Sequence, residues 1–322
     1  MEAILLGQDK KLIQEVYKKC FEEYDFFRNM CIFSKEDLLK NRELAKKVKF
    51  IFSTWGMPSF EKKEITELFP QLNAIFYAAG TTEFFEKNFS DCGINVFSAR
   101  NMNGIPVAEF TVAQIVLANK GYFQAQKKFN SFFPVSMRSA KRYSEIRTGN
   151  YESNIGIIGA GIIGKQVIRL LANFQNKIYV YDPYISHEEI EELNALKVDS
   201  LKELFKKCDV ISNHLPDTPK TRGILNKNVF SYMKDTATFI NTGRGKQVNE
   251  KDLAKVLKMK SNACALLDVT SHEPLAPWSR LRRLNNVFIS PHIAGSTGNE
   301  LWRMGLSVVD IYEKYLNNTE KG

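Results

Sequence analysis

Three short segments each carry a charged or titratable side chain among small or turn-forming residues. Ile240-Asn241-Thr242-Gly243-Arg244-Gly245 sets Arg244 in a glycine-flanked loop, Asp268-Val269-Thr270-Ser271-His272-Glu273-Pro274 offers Asp268 and Glu273, and Ser290-Pro291-His292-Ile293-Ala294-Gly295 offers His292. A guanidinium is a permanently charged planar fork that matches a carboxylate. An imidazole beside a carboxylate can give and take a proton near neutral pH. Brought together, these groups suit proton transfer to an anionic substrate. Taken singly, each has a plainer reading: a loop arginine is usually a surface charge, and a glutamate before proline can simply shape a turn.

A fourth segment points to a phosphate-bearing partner. Ile155-Gly156-Ile157-Ile158-Gly159-Ala160-Gly161-Ile162-Ile163-Gly164 contains G-x-G-x-x-G after an apolar run and before a helical pattern. The next apolar run, Lys177 to Tyr181, is followed by Asp182, 21 residues beyond Gly161. Gly159 would allow the tight turn, Gly161 would let the backbone approach a pyrophosphate, and Gly164 would let the helix pack on its strand. The amides around Ile162 and Ile163 would point the positive helix end at the phosphates. Asp182 would accept hydrogen bonds from the ribose hydroxyls and repel a 2′-phosphate, so the expected cofactor is NAD rather than NADP.

These residues need elements to hold them. Short apolar runs alternate with amphipathic stretches along the chain, the rhythm of βα units in a parallel sheet. Strands are expected at Ala3-Leu6, Met30-Ser34, Phe50-Ser53, Asn73-Ala78 and Ile94-Ala99, and again at Asn154-Ile158, Lys177-Tyr181, Val210-Asn213, Thr238-Asn241, Ala263-Asp268 and Val287-Ser290. Between the two sets, Pro106 to Phe129 reads as one long apolar helix with Pro106 near its first turn. Asn299 to Leu316 reads as an amphipathic helix, too short to be a domain, that packs back on the first one. In a doubly wound sheet the loops beyond the strands' carboxyl ends converge on the ligand. Arg244, Asp268, Glu273 and His292 all lie at or just beyond such ends.

With the Gly156 to Gly164 loop and His214-Leu215-Pro216-Asp217-Thr218-Pro219, these segments resemble the NAD-dependent D-isomer-specific 2-hydroxyacid dehydrogenases. The resemblance runs over essentially the whole chain and is densest from Asn101 to Gly298. It implies an α/β fold in which a Rossmann-type doubly wound coenzyme domain, residues 99–295, is inserted into a smaller flavodoxin-like substrate domain, residues 1–98 plus 296–322. It implies interconversion of a small 2-keto acid and its D-2-hydroxy acid. His292 would be the acid in reduction and the base in oxidation, Glu273 would stabilise its imidazolium, and Arg244 would hold the substrate carboxylate and polarise its carbonyl. Asp268 would bond the nicotinamide carboxamide, and His214, Pro216 and Thr242 would line the cofactor pocket. A homodimer through the coenzyme domain is the family expectation.

In the first domain the resemblance assigns Ala79 and Gly80 as backbone N–H donors to the substrate carboxylate. The chain departs from the family after Gly80, with Thr81-Thr82-Glu83 where Gly-x-Asp is frequent. Trp55 has two readings, an apolar wall beside Met57 if it faces the cleft, or packing between helices. Trp278, soon after Glu273, is weakly placed near the site. His187 opens a helix and should face solvent, and His272 has no assigned role. No side chain singles out one acid, and 322 residues leave little room for the extra regulatory domain of some phosphoglycerate dehydrogenases.

Composition sets the outer limits. The chain is 44% apolar and 25% charged, as a globular protein is. Its net charge of +9 admits an anionic ligand or nucleic acid, but no recognised nucleic-acid module accompanies it. The charge is uneven: −2 over 1–98 with 296–322, and +11 over 99–295, much of it between Lys127 and Arg147. Five scattered cysteines without a CxxC pair argue against a disulfide framework or a metal site. No run approaches the roughly 20 apolar residues of a membrane span, and Met1-Glu2-Ala3 lacks the basic start of a signal peptide. A cytoplasmic enzyme is the expectation, with an NAD(H)-sensing, corepressor-like binding protein as the alternative on the same fold.

Overall fold

The structure, a computed structural model, describes residues 2–131 and 136–319. The chain forms two compact units, Met1–Gly104 with Ser296–Gly322, and Ile105–Gly295. The division falls six residues later than the expected 98/99, after the first turns of a helix rather than before it. Residues 1 and 320–322 of the expected first domain lie outside the described residues.

The first unit is built on five parallel strands, β1 (Ala3–Leu6), β2 (Ile32–Phe33), β3 (Phe50–Ser53), β4 (Ala74–Tyr77) and β5 (Asn95–Ser98), in the order β2-β1-β3-β4-β5. This is the flavodoxin-like order. Phe50-Ile51-Phe52-Ser53 and Ala74-Ile75-Phe76-Tyr77 are buried at every position, which is why they read as continuous apolar runs rather than alternating ones. The helix Glu300–Thr319 closes one face: Met304, Val308 and Val309 are fully buried in the same cluster as Leu5, Phe52 and Phe76. The Tyr312 ring lies 5.2 Å from those of Phe50, Phe52 and Phe76.

The second unit has seven parallel strands, β6 (Asn154–Ile158), β7 (Lys177–Tyr181), β8 (Leu196–Lys197), β9 (Val210–Asn213), β10 (Thr238–Asn241), β11 (Cys264–Leu267) and β12 (Val287–Ile289). Their order, β12-β11-β10-β9-β6-β7-β8, reverses direction between β6 and β9, the doubly wound pattern with its switch point there. Six strands were expected. The seventh, β8, is two residues beside Tyr179 and Val180 of β7, too short to carry a periodic signal.

The segment read as one helix from Pro106 to Phe129 is instead two, Arg100–Asn119 and Tyr122–Phe129. The first starts at Arg100, so Pro106 lies inside it, where it cannot donate the usual backbone bond. The break is at Gly121, whose φ is 65° and whose Cβ, if present, would stand 2.1 Å from the Tyr143 carbonyl oxygen. Only glycine fits both the left-handed backbone and that approach. Two of the basic residues in this region have structural partners. Lys127 Nζ lies 5.2 Å from the centre of the Phe288 ring. Arg147 donates from Nη2 to Gln124 Oε1 and, at 2.7 Å, to the Asn262 carbonyl.

Candidate active site

In the second unit every expected site residue follows the carboxyl end of a strand in one sheet. Gly159 follows β6, Asp182 β7, His214 β9, Thr242 and Arg244 β10, Asp268 and Glu273 β11, and His292 β12. Since the strands are parallel, these ends share one edge.

His292 and Glu273 meet there, with Nδ1 of the imidazole 2.7 Å from Oε2 of the carboxylate. The other oxygen, Oε1, accepts the Thr270 N–H at 3.2 Å, which fixes the carboxylate plane. Both side chains remain about half exposed, 51% for His292 and 40% for Glu273, so a substrate can reach them. His292 has a left-handed backbone, φ 55°, a conformation in which histidine is enriched but still uncommon. Asp268 sustains it. Its Oδ1 accepts Ser290 Oγ at 2.6 Å and Ile293 N at 3.0 Å, its Oδ2 accepts Ala294 N at 2.9 Å, and its carbonyl accepts His292 N at 3.0 Å. The buried Asp268 carboxylate thus acts as a clamp on the His292 loop, a task its expected role toward the nicotinamide did not include.

The Arg244 loop is fixed with comparable care. Gly245 has no room for a side chain, because a Cβ would lie 1.9 Å from the Thr270 carbonyl carbon. Arg244 donates from Nη1 to the Gly243 carbonyl at 2.8 Å and is otherwise exposed. After it, Asn249 caps the helix Glu250–Met259 through the Asp252 N–H, and Glu250 accepts the Ser271 N–H at 2.5 Å. The β10 and β11 loops are therefore joined by one hydrogen bond and by the close approach at Gly245.

The glycine loop has the shape a dinucleotide requires. Gly159 has φ 86°, and a Cβ there would meet the His214 carbonyl at 3.1 Å. At Gly164 a Cβ would stand 2.0 Å from the Gly159 carbonyl oxygen, so the helix Ile162–Leu171 sits directly on its strand loop. At Gly161, by contrast, a Cβ would meet nothing within 4 Å. No side chain caps this helix and no acid lies in its first turn, leaving its amides and positive end for an anion. Ile162 is exposed beside the opening and Ile163 is turned toward the core. Open space above Gly161 with uncapped amides beneath is the fit expected of a bound pyrophosphate.

Asp182 is nearly buried. Its Oδ2 accepts Ala160 N and its Oδ1 accepts Tyr184 N, both at 2.9 Å, so it also braces the glycine loop. His214 places Nε2 2.9 Å from Ser212 Oγ, and burial pushes its pKa down to about 4, so the ring is neutral. Pro216 offers its carbonyl to Thr221 Oγ1 at 2.6 Å. Thr242 Oγ1 lies 2.9 Å from Thr111 Oγ1 in a buried contact. Sequence reading missed Thr111 and the buried amides of Asn213 and Gln247; the one signal was polar residues inside or beside apolar strand runs.

In the first unit the expected donors differ. The Ala79 N–H is already given to the Tyr77 carbonyl at 2.8 Å, because the chain turns tightly on leaving β4. The Ala79 N–H, expected as a donor to substrate, is thus already engaged, which leaves that of Gly80. Trp55 is partly buried on both apolar clusters of this unit and Met57 is in the core, which favours the packing reading over an exposed wall. Trp278 is 75% exposed. His187 opens the helix His187–Glu191 with an exposed side chain, and His272 Nδ1 lies 3.2 Å from Ser271 Oγ.

Comparison with known proteins adds to this geometry. Residues 118–294 match the family described as D-isomer specific 2-hydroxyacid dehydrogenase, NAD binding domain. A D-3-phosphoglycerate dehydrogenase of Methanocaldococcus jannaschii is 34% identical over 224 residues, 70% of this chain and 41% of the relative. That of Haemophilus influenzae is 32% identical over 260 residues, 79% of this chain and 61% of the relative. The chain thus spans between 41% and 61% of the length of these curated relatives. Among solved structures, the NAD-complexed D-isomer specific 2-hydroxyacid dehydrogenase of Lactobacillus delbrueckii ssp. bulgaricus superimposes with a TM-score of 0.79 at 19% identity, over 99% of this chain and 98% of that one. At that identity the likeness concerns the fold.

Proposed function

The chain belongs to the D-isomer specific 2-hydroxyacid dehydrogenase family, and on that premise we propose that it reduces a small 2-keto acid to the D-2-hydroxy acid, and the reverse, with NAD as cofactor. The observation that carries the reading is the His292–Glu273 pair, 2.7 Å apart on the sheet edge that also bears the glycine loop. Bound NADH would supply the hydride. His292 gives its proton to the carbonyl oxygen from Nε2, while Glu273 at Nδ1 holds the ring in place. Arg244 engages the substrate carboxylate, and in the first unit the Gly80 N–H is the donor the family resemblance leaves for a carboxylate. Gly159, Gly161, Ile162, Ile163 and Gly164 hold the pyrophosphate, Asp182 the ribose, and His214, Pro216, Thr242 and Asp268 border the nicotinamide end.

On the second unit Val112, Val116, Leu117, Leu170 and Phe174 line an apolar groove, with Leu117 and Phe174 partly exposed. Such a patch supports a homodimer through this unit, which light scattering on the eluting protein would check by mass. Among the described residues no helix is long and apolar enough to cross a membrane, and a cytoplasmic setting belongs to the proposal.

The test is NADH absorbance at 340 nm with a panel of 2-keto acids that includes phosphorylated ones. Reduction of at least one, yielding the D-isomer, is expected. Tight NADH binding without turnover on any acid would sink the enzyme and leave the cofactor-sensing alternative.

A further inference from the structure

Behind Arg244 lies a cluster of side-chain amides that has no part in the roles above. Asn213, Asn241 and Gln247 are each fully buried, at the ends of β9 and β10 and just beyond. Gln247 Nε2 donates to the carbonyls of Leu215 at 2.6 Å and Pro216 at 2.8 Å. Its Oε1 accepts Asn213 Nδ2 at 2.5 Å and the Arg244 N–H at 3.3 Å. Asn213 Nδ2 also donates to Asn241 Oδ1 at 3.0 Å, an oxygen shared with the Gly243 N–H at 3.1 Å. Asn241 Nδ2 then donates to the Arg244 carbonyl at 3.3 Å.

The pattern admits one orientation of Gln247. Two carbonyls can only accept and a backbone N–H can only donate, so the amide must point its nitrogen at Leu215 and Pro216 and its oxygen at Arg244. All four of its hydrogen-bonding positions are then filled. Both backbone polar groups of Arg244 are gripped by side chains, one by Gln247 and one by Asn241. Gln247 also holds the loop after β9, which borders the cofactor end in the reading above. A buried polar network with every member satisfied fixes geometry more tightly than apolar packing does.

We propose that Gln247 is a positioning residue that sets the register between the Arg244 loop and the Leu215–Pro216 loop, and so between substrate carboxylate and cofactor. This rests on the reading of Arg244 as the carboxylate anchor. A displacement on the ångström scale at such an anchor is costly to reaction geometry. Gln247→Met keeps length and removes every bond. The paired variant Asn213→Leu with Gln247→Leu removes both partners of the shortest contact, which guards against loss of folding through an unpaired buried amide.

In both variants KM for the keto acid should rise about tenfold or more, and by more than Kd for NADH, since the loop that Gln247 holds borders only the nicotinamide end while the glycine loop keeps its own bonds. Hydrogen exchange at the peptides covering 214–217 and 242–247 should speed up. Combining Gln247→Met with Arg244→Ala should add no further rise in KM beyond Arg244→Ala alone, because the register matters only through that side chain. An additive rise, or unchanged KM with only a lowered Tm, would assign Gln247 a purely structural role. If Arg244→Ala itself leaves KM unchanged, the reading of Arg244 fails. If exchange is unaffected in folded Gln247→Met, the positioning proposal fails regardless of activity.

Discussion

His292 Nδ1 and Glu273 Oε2 lie 2.7 Å apart although the two residues belong to loops after different strands. Because His292 has φ 55°, asparagine, which also tolerates this backbone, is the better replacement than alanine. His292→Asn should lower kcat by roughly 10²- to 10⁴-fold while NADH binding, followed by fluorescence titration, stays at the wild-type Kd. Glu273→Gln should cause a smaller loss, since the imidazole remains but its cation loses the carboxylate. Turnover near wild type in His292→Asn would remove it as the proton donor.

Substitution should cost stability at Gly164 and not at Gly161. Gly161→Ala meets no protein atom within 4 Å and should keep the wild-type Tm while NAD affinity drops. Gly164→Ala drives a methyl into the Gly159 carbonyl oxygen at 2.0 Å and should lower both. Thermal melts with and without NAD separate the two; a normal Tm in Gly164→Ala would mean the helix lifts freely off its strand.

Asp182 is both charge and brace. Asp182→Asn removes the charge and keeps an acceptor for one of the two amides it holds. The ratio of kcat/KM for NADH over NADPH should fall by about tenfold or more, the equivalent of about 1.4 kcal/mol of lost repulsion and ribose bonding. An unchanged ratio would show that cofactor choice is made elsewhere.

His214 makes stability depend on pH. Burial lowers its pKa from 6.5 to about 4, and among the described residues its Nδ1 has no partner. The folded state therefore resists a proton that the unfolded chain accepts below pH 6.5. The stability tied to the neutral ring is complete above 6.5 and drains away as pH falls toward 4, by about 3 kcal/mol at most. In urea unfolding from pH 7.5 to 4.5 the stability of wild type minus that of His214→Leu should fall as pH falls, and parallel curves would contradict the assignment.

Much of the architecture was legible because strands buried on both faces spell themselves as apolar runs. Phe50–Ser53, Asn154–Ile158 and Thr238–Asn241 have the same bounds in sequence and structure. What escaped depended on distant partners. The stop at Gly121 is imposed by the distant Tyr143 carbonyl, and the glycine itself is its one local sign. Pro106 looked like a helix start because proline suits a first turn, yet six residues precede it in the helix. Within the site, Ala79 offered an N–H on paper that its own turn consumes, and Gln247, between Lys246 and Val248, belongs to no motif and gains its place only from the carbonyls of Leu215 and Pro216. Residue type announces a charge readily, but it does not announce which hydrogen bonds are already taken.

The helix Glu300–Thr319 supplies Met304, Val308, Val309 and Tyr312 to the aromatic core around Phe50, Phe52 and Phe76. On the ribosome those residues emerge only after all of Ile105–Gly295 has been made. The second unit can therefore close while the first still shows an uncovered sticky face. During synthesis the earliest-made sheet is the last to be finished, and it is there that a chaperone would have the longest opportunity to bind.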